Sequence, residues 1–155
     1  MRAVIRDTRE QTKDWKFGKA EVIEKALKTG DFSLQGLEDK FCIERKRSTG
    51  EFAGNITQAR FERELDRMDN MEHPFIVCEF TMKQVLGFPY DSGIPRTKWR
   101  RIRISSGYLL KRIVEMQTKH KVKIIFAGEN GEEMTKAIMR EMMSIYGKDE
   151  ADTNV

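Results

Sequence analysis

The chain has 155 residues, of which 39% are hydrophobic and 35% charged, with 29 Lys and Arg against 25 Asp and Glu for a net charge of +4. That length and balance predict one soluble globular domain with a proper core, and the mild basic excess (pI near 9.1) permits a polyanionic partner. No run of 18 apolar residues exists, which excludes a membrane-spanning helix.

The opening residues enter a strand at once and show no signal peptide, so the expected location is cytoplasmic. Cys42 and Cys78 both sit in apolar, strand-like runs and are expected to be reduced core thiols. Residues 3–7 read as the first strand, with Asp7 at its end. Asp there serves equally as a turn residue or as an acid entering a site at the strand's edge. Residues 11–17 form a polar loop whose Trp15 and Phe17 are expected to plug the core. Residues 19–28 place Val22, Ile23, Ala26 and Leu27 at helical spacing, with Gly30 as a C-terminal cap, and predict a helix. Residues 30–34 read as a strand that starts with Asp31, and 35–39 as a hairpin connection that returns the chain beside it.

The stretch 41–47, Phe-Cys-Ile-Glu-Arg-Lys-Arg, carries the chemistry. Its alternation is that of a strand, so Glu44 and Lys46 leave the same face. Buried charge is costly unless it is paired or bound to a metal. Two readings follow: a structural ion pair, or a metal site in which Glu44 is a ligand and Lys46 orients or polarises a water. The hairpin brings Asp31 near Glu44 in either case.

Residues 47–54 leave the strand, and 55–68 predict a helix capped by Asn55 or Thr57, with Ile56, Phe61, Leu65 and Met68 as its apolar stripe. Arg60, Arg63 and Arg67 lie beside that stripe, with Glu62, Glu64 and Asp66 available to pair with them on a solvated face. The run 75–80 predicts a strand covered on both faces. Neither His73 nor His120 has a Cys or His partner at zinc-ligand spacing. Residues 81–104 read as loop, ending in a basic run: Arg96, Lys98, Arg100, Arg101 and Arg103 around Trp99. Basic side chains suit phosphates and an aromatic suits an unpaired base; the alternative is a solvated loop anchored by Trp99. A helix over 105–119 and a strand over 122–127 follow, then a final helix rich in methionine (Met134, Met139, Met142, Met143). That many methionines suggest adaptable packing and a partner surface. The expected domain spans 1–147, with 148–155 a frayed tail.

Three ordered pieces resemble the XPF-type nuclease domain: Asp7-Thr8-Arg9-Glu10 after a strand, Gly30-Asp31-Phe32-Ser33-Leu34, and Glu44-Arg45-Lys46. Similarity is strong over residues 3–80 and architectural beyond. The resemblance implies an α/β fold, a mixed central sheet flanked by helices, of the restriction-endonuclease-like (PD-(D/E)xK) type. It implies an acidic cluster of Asp7, Asp31 and Glu44, which would repel without a cation. Asp31 and Glu44 would ligate Mg²⁺ or Mn²⁺ directly, with the Arg45 carbonyl as an extra ligand and Lys46 beside the attacking water. Arg9 and Glu10 would shape the site, and Arg9, Arg45 and Arg60 would hold phosphates. The implied activity is a metal-dependent, structure-selective endonuclease acting on branched or flapped DNA, paired with a second copy or a related subunit through the C-terminal helices.

Two departures stand out. Many members carry an acid six residues beyond the triplet's glutamate; here that position is Gly50, with Glu51 one place later. Nothing after residue 128 reads as the double helix-hairpin-helix module of eukaryotic and archaeal members, so the nuclease module alone is expected, in the format of phage and bacterial forms. Two rival readings share the chemistry: a catalytically inactive DNA-binding subunit of a nuclease complex, and a Holliday-junction resolvase or exonuclease of the same superfamily.

Overall fold

The strand that carries Glu44 and Lys46, β4 (Phe41–Lys46), lies inside a six-stranded sheet and alternates between two cores. Phe41 and Ile43 join one apolar cluster and Cys42 the other. The remaining strands are β1 (Val4–Arg6), β2 (Val22–Glu24), β3 (Phe32–Leu34), β5 (His73–Cys78) and β6 (Lys123–Phe126). Their spatial order is β2-β1-β3-β4-β5-β6. β1–β3 and β3–β4 are antiparallel, whereas β1–β2, β4–β5 and β5–β6 are parallel. The computed structural model describes the backbone of residues 1–153 and the side chains of residues 1–147. The segment 148–155, expected as a tail, lies outside the described side chains.

Helices α1 (Thr49–Asn55), α2 (Ala59–Met68), α3 (Met82–Leu86) and α4 (Ser106–Lys119) cover one face of the sheet. They bury Phe52, Phe61, Leu65, Val85, Leu109, Ile113 and Met116 over Cys42, Ile76 and Cys78. Helix α5 (Gly131–Thr153) covers the other face, setting Ile138, Met139, Met142 and Tyr146 against Phe41, Ile43, Phe75 and Val77. Met134 and Met143 pack on the same cluster, so the core itself engages all four methionines. Trp15 stacks on Phe32 at 5.8 Å between ring centroids and Phe17 lies 5.7 Å from it, as expected for core plugs. Both cysteines are free and buried. No helix among the described residues is long and apolar enough to cross a membrane.

Three expectations change. Residues 19–28 form no helix; Val22 and Ile23 instead pair with Val4 and Ile5 as β2. Two adjacent β-branched residues favour the strand once a partner edge is available, and that edge lies far back in the chain. The helix expected over 55–68 begins later than expected, and a separate helix precedes it where the chain was expected only to leave the strand. Ser48 caps α1 by accepting a hydrogen bond from Glu51 N–H (3.1 Å), Asn55 ends it, and α2 starts only at Ala59. Within the expected loop 81–104, Thr81 and Gln84 form a reciprocal capping box that sets α3, and Arg96–Arg101 makes a 3-10 turn.

Candidate active site

Strand β4 delivers Glu44 and Lys46 to the face covered by α1 and α2, as their spacing requires. Lys46 Nζ donates to Glu44 Oε1 at 3.0 Å and to Asn55 Oδ1, at the end of α1, at 2.7 Å. Asp31 enters from the start of β3. Gly30 makes this possible: its φ is +86°, and a Cβ there would stand 2.7 Å from Cys42 Cβ. The chain therefore lies hard against β4, Asp31 N–H donates to the Ile43 carbonyl (2.8 Å), and Arg45 N–H donates to Asp31 Oδ2 (2.7 Å).

Helix α2 supplies a residue that the sequence reading placed on a solvated face. Arg60, Glu64 and Arg67 follow one another at helical spacing beside the buried stripe of Phe61, Leu65 and Met68, and all three line the cleft. Glu64 stands close enough to Glu44 to raise its carboxyl. The signal was present: once Arg60 is aimed at the cleft, the residue four later shares its face.

The result is an open, polar cleft of about 340 Å³, lined among others by Asp7, Arg9, Asp31, Glu44, Lys46, Asn55, Arg60 and Glu64. Its electrostatics are frustrated. Burial raises the Asp31 carboxyl, and Glu10 and Glu64 raise it further, so it sits at about 7 despite the Arg45 N–H and the Lys46 ammonium. Burial, Asp31 and Glu64 together push Glu44 well above the usual carboxylate range, outweighing Lys46. Burial alone would lower Lys46, but Glu44, Glu64 and Asp31 hold it above its ordinary value and keep it cationic.

The other expected site residues separate into two groups. Asp7 lines the cleft but is only 2% exposed. Its oxygens accept from Leu27 N–H (2.8 Å), Arg9 N–H (3.2 Å) and Arg9 Nε (3.1 Å). Burial raises its carboxyl, yet these bonds bring the net value below the ordinary one. Glu10 is buried and accepts from Arg45 Nη1 (3.0 Å) and Gln11 N–H (2.8 Å). Arg45 was expected to hold phosphate, but its side chain leaves the opposite face of β4. There it donates to Glu79 (2.5 and 3.2 Å) and Glu10, over the Trp15 ring at 5.2 Å. Its backbone N–H reaches the cleft, and Arg45 with Glu10 also lines a smaller pocket that Asp31 and Glu44 border. Arg9 and Arg60 are exposed at the rim. Glu51 also reaches the rim, with Oε2 accepting from Arg47 Nε (3.1 Å). Gly50 has no room for a side chain, since a Cβ would lie 2.5 Å from the Ser92 carbonyl oxygen. That packing explains why an acid is absent there.

In the basic segment, Arg96, Lys98, Arg100, Arg101 and Arg103 are exposed. Trp99 is half-buried, donates Nε1–H to the Ile94 carbonyl (2.9 Å) and lies beneath the Arg96 guanidinium at 5.2 Å. Outside the cleft, Asp66, Asp69 and His120 are the acid and histidine trio whose ligand atoms lie within 4.8 Å of one another among the described residues. Asp69 there already accepts from Lys121 N–H (2.8 Å) and contacts His120 Nδ1 (2.8 Å), which ties the end of α2 to the end of α4.

A mixed sheet with helices on both faces, and a strand that presents a carboxylate and a lysine two apart beside an incoming aspartate, define a protein of restriction-endonuclease-like fold. The model of the ERCC4 domain matches residues 6–135, and the chain belongs to that nuclease family. Its structure is similar to that of XPF from Aeropyrum pernix, with a TM-score of 0.65 at 20% identity, covering 90% of this chain and 61% of that one. It is also similar to XPF from the same organism in complex with DNA, with a TM-score of 0.64 at 20% identity, covering 96% and 66%. The chain thus spans about three-fifths to two-thirds of the length of those structures. No curated protein matches it.

Proposed function

We propose that this protein is a metal-dependent, structure-selective DNA endonuclease that hydrolyses phosphodiester bonds at branched or flapped junctions. The observation that carries the reading is the set of Asp31, Glu44 and Glu64 around Lys46 in one open cleft. Carboxylates crowded enough to raise their own pKa values form a hard-oxygen donor set suited to Mg²⁺ or Mn²⁺. Asp31 and Glu44 would hold the ion with Glu64 as a third oxygen donor, while Asp7 orders the adjoining loop through Arg9 and Leu27. When bound, the ion would supply Lewis acidity and lower the pKa of an attacking water.

The remaining work falls to side chains already in place. Lys46, fixed by Glu44 and Asn55, presents a cationic donor where negative charge grows on the phosphate in the transition state. Arg9 and Arg60 at the rim suit flanking phosphates. Arg45 holds the site from behind, fixing Asp31 through its N–H and bracing β4 through Glu10 and Glu79.

The test is cleavage of end-labelled flap, fork, four-way and plain duplex DNA with Mg²⁺ or Mn²⁺, beside Asp31→Ala and Lys46→Ala. The expected result is metal-dependent cuts near the junction, lost in both variants. Folded protein that binds but never cuts would favour a non-catalytic subunit. Symmetric cuts confined to the four-way junction would favour a resolvase.

A further inference from the structure

The basic segment contains an aromatic pair whose two members differ in exposure. Tyr90 is 61% exposed, whereas Trp99 is half-buried with its indole N–H bonded to the Ile94 carbonyl. The rings meet edge to face, 5.1 Å between centroids at 77°. The Arg96 guanidinium also covers one face of Trp99, 5.2 Å from the ring centroid. A tryptophan tied by its N–H, packed on the tyrosine and covered on one face by a guanidinium is placed as a support. Tyr90 is the ring that the support holds out to solvent.

The turn that carries Tyr90 is rigid. Tyr90 N–H donates to the Gly87 carbonyl (2.9 Å), Ser92 N–H to the Pro89 carbonyl (3.2 Å) and Ile94 N–H to Ser92 Oγ (3.1 Å). Phe88 on one side and Ser92 on the other are buried. Gly50 N–H, in the first turn of α1, donates to the Ser92 carbonyl (3.0 Å), and Gly50 has no Cβ to keep the two apart. The next residue, Glu51, lines the cleft. The turn is therefore bolted to an element that forms the cleft's rim, which fixes where Tyr90 stands relative to Asp31 and Glu44.

Charge identifies the occupant. No Asp or Glu occurs between Asp91 and Glu115, while Arg96, Lys98, Arg100, Arg101 and Arg103 all fall in that interval. An exposed ring on a stiff turn beside unopposed cations matches the requirements of an unpaired nucleotide: a π-face for the base and positive charge for its phosphates. We propose that Tyr90 is a stacking platform for one unpaired nucleobase of the DNA, with Arg96 and Lys98 on the flanking phosphates and Trp99 as the pillar behind it. This rests on the nuclease reading above and adds how an unpaired strand is registered on the enzyme.

The probe is a fluorescein-labelled fork with single-stranded arms, compared with a plain duplex of equal length, bound in EDTA so that cleavage does not intervene. A second fork carries 2-aminopurine at the first unpaired position. For Tyr90→Ala we expect about a ten-fold loss of fork affinity, unchanged duplex affinity, and loss of the 2-aminopurine quenching seen with wild type. Tyr90→Phe should restore both. Because Tyr90 is exposed, the alanine variant should melt with wild type, and a melting curve confirms that it is folded.

Equal losses on fork and duplex, or no loss on either, would overturn the proposal. So would a change in oligomeric state with DNA affinity intact, which would make Tyr90 a protein contact. The two readings fail separately. Wild type that binds forks through Tyr90 but never cuts removes the nuclease and leaves the platform. Junction cleavage untouched by Tyr90→Ala removes the platform alone. Wild type that fails to bind the fork removes both.

Discussion

Replacing Asp31 by asparagine should make the metal-free protein more stable while abolishing cleavage. In the folded chain the Asp31 carboxyl sits at about 7 against an ordinary 3.8, because it is buried beside Glu10 and Glu64. A carboxyl whose folded pKa is raised contributes stability below its unfolded pKa and loses it as pH rises through the folded value. The displacement corresponds to a ceiling of roughly 4 kcal/mol of stability missing above pH 7. Asparagine keeps an acceptor for Arg45 N–H but brings an amide N–H₂ without an assigned partner, so the net gain should be about 2 kcal/mol. For a chain of this size that raises the midpoint by roughly 4–8 °C.

The assay is thermal unfolding by circular dichroism in EDTA at roughly pH 5 and pH 8.5. Wild type should lose more stability between the two than the variant, in which Glu44 alone of the pair still carries a raised carboxyl, so that their difference is larger at the higher pH. Added Mg²⁺ should restore wild type and leave Asp31→Asn unchanged. A variant that melts at or below wild type at the higher pH would refute the reasoning, because the cleft would then carry no electrostatic strain for a cation to relieve.

Arg45→Ala should destabilise the fold by about 3 kcal/mol, since it strands Glu10 and Glu79 without their partner; denaturant unfolding reads this directly, and a loss below about 1 kcal/mol would show that the pairs contribute no more than surface bridges. Glu64→Gln should fold normally yet need about ten-fold more Mg²⁺ for half-maximal cleavage, with the same displacement in Mg²⁺-induced thermal stabilisation. Unchanged metal dependence would remove Glu64 from the site.

The sequence reveals those parts of the site that depend on near neighbours. Glu44 and Lys46 share a face because strand periodicity dictates it, and Asp31 reaches them because a tight hairpin can hardly do otherwise. Glu64 escapes because its role depends on how α2 rolls against the sheet; the same sequence allows it to pair with neighbouring arginines on a wet face. The two readings of Trp99 stayed open for a similar reason, as the Ile94 carbonyl that captures the indole is visible only in the folded turn. The start of α1 carries a signal that the expected cap at Asn55 or Thr57 passed over: Ser48-x-x-Glu51 is a capping signature, and Ser48 does accept from Glu51 N–H. Strand β2 was not legible, because Val22, Ile23, Ala26 and Leu27 satisfy helical spacing as well, and only pairing with β1 decides between the two.

The Glu44-Arg45-Lys46 triplet divides its labour across the thickness of the sheet, with the outer two residues in the cleft and Arg45 against Trp15 on the other side. This makes β4 intolerant of any insertion or deletion. A slip of one residue exchanges the faces: it would thrust the Arg45 guanidinium among Asp31 and Glu64 and drive Glu44 and Lys46 toward Phe32 and Trp15. Cleft charge and structural charge would trade places in a single step. The length of this strand is therefore a stricter requirement than the identity of many residues that flank it, and engineered variants should place their length changes in the connections on either side.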